Sequence, residues 1–172
     1  MNTDHTEVNT VGIPLALLEQ TSVILGGDRQ AMFDKMVKHA ITMPDKSFNK
    51  DPQACMYRDG KGGMCLVGCL IPDELYHPTM EKNKADVLLE PIGAGRSDQG
   101  RFLNDVQSAH DSSSSRDKML YKLRELAGRY NLFMYSVPSW LPEWTGFGTR
   151  SVVMPPAMAA PYYTHPSFNP NY

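Results

Sequence analysis

Apolar residues recur along this chain at helical spacing, in blocks separated by turn-rich breaks. Between 28 and 42, Met32, Phe33, Met36, Val37, Ala40 and Ile41 fall at i, i+1, i+4, i+5, i+8 and i+9, the stripe of one helix face. Asp28, after Gly26-Gly27, supplies an N-cap, Lys35 and Lys38 take the outer face, and Pro44 stops the helix. Phe102, Leu103, Val106 and Ala109 mark another helix, closing at His110-Asp111. After the serine run at 112–115, Met119, Leu120, Leu123, Leu126, Ala127 and Tyr130 mark a further one, with Gly128 weakening its last turn. Two short helices are expected between these blocks. One starts at Pro72, where Asp73 and Glu74 favour the helix dipole, and is cut off by Pro78; the other spans about 81–89. Residues 91–100 read as a loop.

From 54 to 70 the pattern changes. Asp59-Gly60-Lys61-Gly62-Gly63 is turn chemistry that permits positive φ, flanked by Cys55-Met56-Tyr57-Arg58 and Met64-Cys65-Leu66-Val67. This predicts a β-hairpin. Leu132-Phe133-Met134-Tyr135-Ser136-Val137 predicts a further strand.

The two ends of the chain behave differently. Residues 1–27 begin polar and then carry Val11 to Leu18 and Val23-Ile24-Leu25, but Leu15, Leu18 and Ser22 make no clean stripe, so an arm with a short helix or strand is expected. Beyond Tyr135, Pro138, Pro142, Pro155, Pro156, Pro161, Pro166 and Pro170 interleave with Trp140, Trp144, Phe147, Tyr162, Tyr163, Phe168 and Tyr172. Prolines forbid regular ladders while the aromatic rings gain from burial. Such a segment makes no core of its own; it docks on a partner or stays disordered. The expected architecture is α+β: a small β-hairpin packed among four or five short helices, with extended N- and C-terminal arms. The expected boundaries are 1–27 for the N-terminal arm, 28–135 for the globular core and 136–172 for the C-terminal extension.

Composition narrows the function classes. The 172 residues carry 17 basic and 19 acidic side chains, a net charge of -2, and 41% hydrophobic residues. A core can form, but the chain as a whole has no electrostatic basis for wrapping nucleic acid. Arg116, Lys118, Lys122, Arg124 and Arg129 gather on one helix, yet Asp117 and Glu125 interleave with them, as on an ordinary solvated face. No apolar run reaches membrane-spanning length. Residues 1–10 are polar and acidic rather than a signal peptide, and three cysteines are too few for a secreted scaffold. A reduced, cytosolic setting is expected.

The chemistry-bearing residues concentrate near the glycine turn. In a hairpin with an odd-length loop Cys55 would face Cys65, while Cys65 and Cys69, four apart, share a side. The three thiols with His77 or His110 would then make a Cys₃His zinc set. The spacing Cys-x₉-Cys-x₃-Cys lacks the two-residue knuckle of structural zinc sites, and simple burial of small reduced cysteines is the competing reading. A nucleophile reading takes Cys69 near a helix N-terminus, with His110 as base and Asp111 as its orienter. Against it, neighbouring His and Asp are poorly placed for a triad, Leu70-Ile71 suggests burial, and His110 is explained as a helix C-terminal cap. Asp73, Glu74 and Glu81 are explained as helix-start charge. Tyr57-Arg58 could meet a phosphate or a carboxylate, but an exposed strand end explains it as well.

Cys55-x-Tyr57-Arg58, then Cys65-x-Val67-Gly68-Cys69-Leu70-Ile71-Pro72-Asp73-Glu74-x-Tyr76, and finally His110-Asp111 resemble a family of small proteins encoded by tailed bacteriophages. The likeness covers about residues 31–130, and the Cys-Leu-Ile-Pro-Asp run is its most specific part. The family has no assigned activity, so the resemblance transfers no catalytic residue. It implies a viral accessory protein, found in the virion or the host cytoplasm. The expected function is non-catalytic binding of a phage structural protein, with Trp140, Trp144, Phe147, Tyr162, Tyr163, Phe168 and Tyr172 as contact residues and no cofactor. The alternatives are a host-takeover factor that binds a bacterial protein, and a zinc- or cysteine-dependent enzyme built on Cys55, Cys65, Cys69 and His110.

Overall fold

A computed structural model of the chain describes residues 7–10, 12–43, 56–81 and 83–135. Four α-helices dominate them: α1 Leu15–Leu25, α2 Arg29–Thr42, α3 Asp98–Asp111 and α4 Arg116–Tyr130. The stretch between α2 and α3 is made of tight 3-10 turns, at Gly68–Leu70, Asp73–Leu75, Pro78–Met80 and Val87–Ile92.

The helix boundaries follow from local chemistry. Asp28 accepts the Ala31 N–H at 2.6 Å and opens α2. Ser97 accepts the Gln99 and Gly100 N–H groups and opens α3, and Ser115 accepts the Lys118 N–H and opens α4. These bonds satisfy donors that a helix start otherwise leaves unpaired. Helix α4 closes at Asn131 in the left-handed conformation, φ 54°, with the Leu132 N–H returning to Ala127. The buried faces of α2, α3 and α4 contain the residues their spacing predicts, among them Phe33, Val37, Leu103, Val106, Leu120 and Leu123.

The α+β expectation is overturned: among the described residues there is no strand and no sheet, and the fold is all-α. Where a β-hairpin was expected, a single antiparallel bridge joins Arg58 to Met64 across the glycine turn. Gly60 and Gly62 take the positive φ values of 70° and 93° that the turn needs. The ladder goes no further because the next pair, Tyr57 with Cys65, is only half made. The Cys65 N–H donates to the Tyr57 carbonyl, but the Tyr57 N–H is taken by the Glu81 carboxylate and the Cys65 carbonyl accepts the Cys69 N–H as the facing chain coils into the turn at Gly68–Leu70. Residues 132–135 are likewise not a strand, and 136–137 lie outside the described residues. The helix expected at 81–89 is a 3-10 turn over Val87–Ile92 that contains Pro91 and ends at Gly93 with φ 67°.

The expected extended N-terminal arm is also corrected. Ile13, Leu18 and Leu25 are fully buried members of the core, and α1 packs against the turn at Val87–Ile92. Its buried stripe is Leu18, Thr21, Ser22 and Leu25. Ser22 enters a helix interior because its hydroxyl donates to the Glu19 carbonyl at 2.7 Å. Thr21 is equally buried, but its hydroxyl has no partner.

Packing joins α3 to α4 and α2 to α4, with Phe102 of α3 at the meeting point. Its ring centroid lies 6.4 Å from that of Phe33 and 5.1 Å from that of Tyr130, the latter edge-on. The Arg29 guanidinium covers the same aromatic group, 5.4 Å from the Phe102 centroid and 5.5 Å from that of Tyr130. Arg29 also donates from Nε to Gln99, which in turn donates to the Leu25 carbonyl. One side-chain chain thus ties the end of α1 to the starts of α2 and α3.

Candidate functional site

The segment from Tyr57 to Asn83 is joined by a network of polar contacts, and local turns set its geometry. Asp59 begins it: Oδ1 accepts the Lys61 and Gly63 N–H groups, each at 2.7 Å. These two bonds hold the Asp59 carboxyl below its ordinary range. Across the turn the Cys65 N–H donates to the Tyr57 carbonyl at 3.3 Å. The backbone then approaches itself so closely at Gly68 that a Cβ there would lie 2.2 Å from the Tyr57 oxygen.

Glu81 joins the far end of the segment to its beginning. Its carboxylate accepts the Tyr57 N–H at 2.8 Å, the Arg58 N–H at 3.0 Å and the Tyr76 hydroxyl at 2.8 Å. The Tyr57 ring is fully buried, and its hydroxyl donates to the Asn83 carbonyl at 2.9 Å. Arg58 lies over the Tyr76 ring, 5.4 Å from its centroid. Its Nη2 donates to the Ile71 carbonyl at 2.6 Å and pairs with Asp73 at 2.9 Å, while Nη1 meets the Met64 sulfur. The carboxylate partner that Tyr57-Arg58 could be expected to meet is therefore Asp73 of the same chain. Burial and then the hydrogen bond to Glu81 push the Tyr76 phenol up to about 12.

Cys65 and Cys69 both lie in this frame. Cys65 is buried, and its sulfur accepts the Gly68 N–H at 3.2 Å. Cys69 donates to the Leu66 carbonyl at 3.1 Å. Burial pushes its thiol up to about 12, outweighing the opposing charges of Lys35 and Arg58. A thiol of that kind is protonated at neutral pH and is a poor nucleophile. The helix it was expected to precede, starting at Pro72, is a three-residue 3-10 turn over Asp73–Leu75, too short to develop a useful dipole.

His110 sits in the last turn of α3, half a fold away in sequence. It is buried, and its Nδ1 lies 3.0 Å from an Asp111 oxygen, so the two neighbours do meet despite their adjacency. Cys69 is not hydrogen-bonded to His110. His77 caps the turn at Pro78–Met80 through Thr79. Among the described residues no group of three or more His, Cys, Asp or Glu side chains could hold a metal ion; Cys55 lies outside them. Trp140, Trp144, Phe147, Tyr162, Tyr163, Phe168 and Tyr172 also lie outside the described residues.

Reading along the sequence missed two features of this surface. Glu81 looks like an ordinary helix-start charge, and nothing in its neighbours signals partners more than twenty residues earlier. Gln30 looks like a solvated position of α2, yet its side-chain amide accepts the Phe133 N–H and donates to the Phe133 carbonyl, both at 2.8 Å. Beyond that clamp the Phe133 and Tyr135 rings stack with centroids 5.8 Å apart. They are 44% and 64% exposed.

No helix among the described residues is long and apolar enough to cross a membrane. Comparison of the chain with protein-family models, with curated proteins and with solved structures finds no match.

Proposed function

We propose that this protein is a non-catalytic phage accessory protein that acts by binding another protein, within an assembly such as the virion. The observation that carries this reading is the exposed Phe133–Tyr135 stack, clamped by Gln30 where the chain leaves α4 and enters the proline- and aromatic-rich segment. Ordered aromatic rings bury large area at low entropic cost, which suits them to an interface. The internal chemistry of the core supports the same reading. The Glu81 carboxylate, the Arg58 guanidinium and the Cys69 thiol are each engaged in holding the 57–83 segment together. The resemblance to small tailed-phage proteins supplies the viral setting, and residues 136–172 would supply further contacts.

The test is quantitative mass spectrometry of purified virions beside infected-cell lysate, with the wild-type chain and with Phe133→Ser/Tyr135→Ser. Stoichiometric wild-type protein in particles, with at least a several-fold loss for the variant, is expected. Absence from particles together with a stable complex on a bacterial protein would replace the virion role with a host-directed one. A chain found in neither a particle nor a complex would refute the binding reading altogether.

A further inference from the structure

We draw no further inference here: the strongest candidate, the cluster in which Lys118 and Lys122 of α4 reach the serine turn at 112–115, is a helix N-terminus fringed by exposed side chains, and the buried unpaired atom beside it, Arg116 Nε, belongs to a guanidinium already bonded to the Ile41 carbonyl.

Discussion

The carboxylate of Glu81 accepts the backbone N–H of Arg58 at 3.0 Å, across 23 positions of sequence. The second oxygen takes the N–H of Tyr57, and Tyr76 donates to the first. One acidic side chain therefore takes the Tyr57 donor that would extend pairing beyond the bridge at the glycine turn.

Replacing that side chain should unfold the segment before it affects the helices. Glu81→Ala leaves two backbone donors unsatisfied and is expected to cost about 2–4 kcal/mol, since bonds to a charged acceptor are the stronger kind. Glu81→Gln keeps an acceptor oxygen and should cost distinctly less. Denaturant melts of the three proteins measure this; equal stability for all of them would mean the link carries no weight.

Gly68 tests the close approach next to it. With a Cβ only 2.2 Å from the Tyr57 oxygen, Gly68→Ala must displace backbone, at a cost of about 1–3 kcal/mol for an overpacked site. Gly128, whose Cβ would meet nothing within 4 Å, is the control. Gly128→Ala in the last turns of α4 should raise stability by about 0.5–1 kcal/mol, the helix-propensity difference. Thermal melts that moved both variants in the same direction would contradict the geometry.

Thr21 offers a gain of stability. Its hydroxyl is buried in α1 without a partner, so exchanging it for a methyl removes a desolvation penalty at nearly constant shape. Thr21→Val should stabilise the protein by about 1 kcal/mol. Ser22→Ala should not, because the Ser22 hydroxyl bonds to Glu19. Loss of stability in Thr21→Val would show that the hydroxyl has a partner in solution.

Alkaline pH should weaken the fold. Cys69 and Tyr76 both have folded pKa values raised to about 12, from 9.0 and 10.0. A group raised in this way contributes its full stability below its unfolded pKa and loses it as pH climbs through the folded one. Tm should therefore fall progressively from about pH 9 upward, and Cys69→Ala/Tyr76→Phe should flatten that fall relative to its own neutral-pH value. Alkylation of Cys69 in the native protein should be slow at about pH 8. Rapid native alkylation would revive the nucleophile reading.

Helices α2, α3 and α4 were legible because each carries its information locally. Each has a continuous apolar stripe, and at α2 the cap, Asp28, stands directly before it; at α3 the capping Ser97 lies inside the stretch 91–100 that reads as a loop, so that helix begins at Asp98, earlier than its stripe shows. The glycine turn was legible for the same reason, since Asp59 and its glycines determine their own conformation. Helix α1 was obscured because two of its four buried residues, Thr21 and Ser22, are polar. A hydroxyl satisfied within its own helix, as in Ser22, leaves no trace in a hydrophobicity pattern.

By itself, then, the sequence determined the buried faces of α2, α3 and α4, the cap that opens α2 and that the chain reverses at Asp59, since periodicity, capping and turn chemistry depend on residues within about four positions. Tertiary structure alone decided that no ladder follows the turn, that α1 belongs to the core, and that Cys69 stays a protonated thiol. Each of those outcomes depends on groups far apart in sequence. Glu81 competes with a partner strand for the donor of Tyr57, the turn at Val87–Ile92 packs on α1, and burial outweighs two nearby cations at one sulfur. Hydrogen-bond competition and desolvation are properties of the assembled core, and no local pattern encodes them.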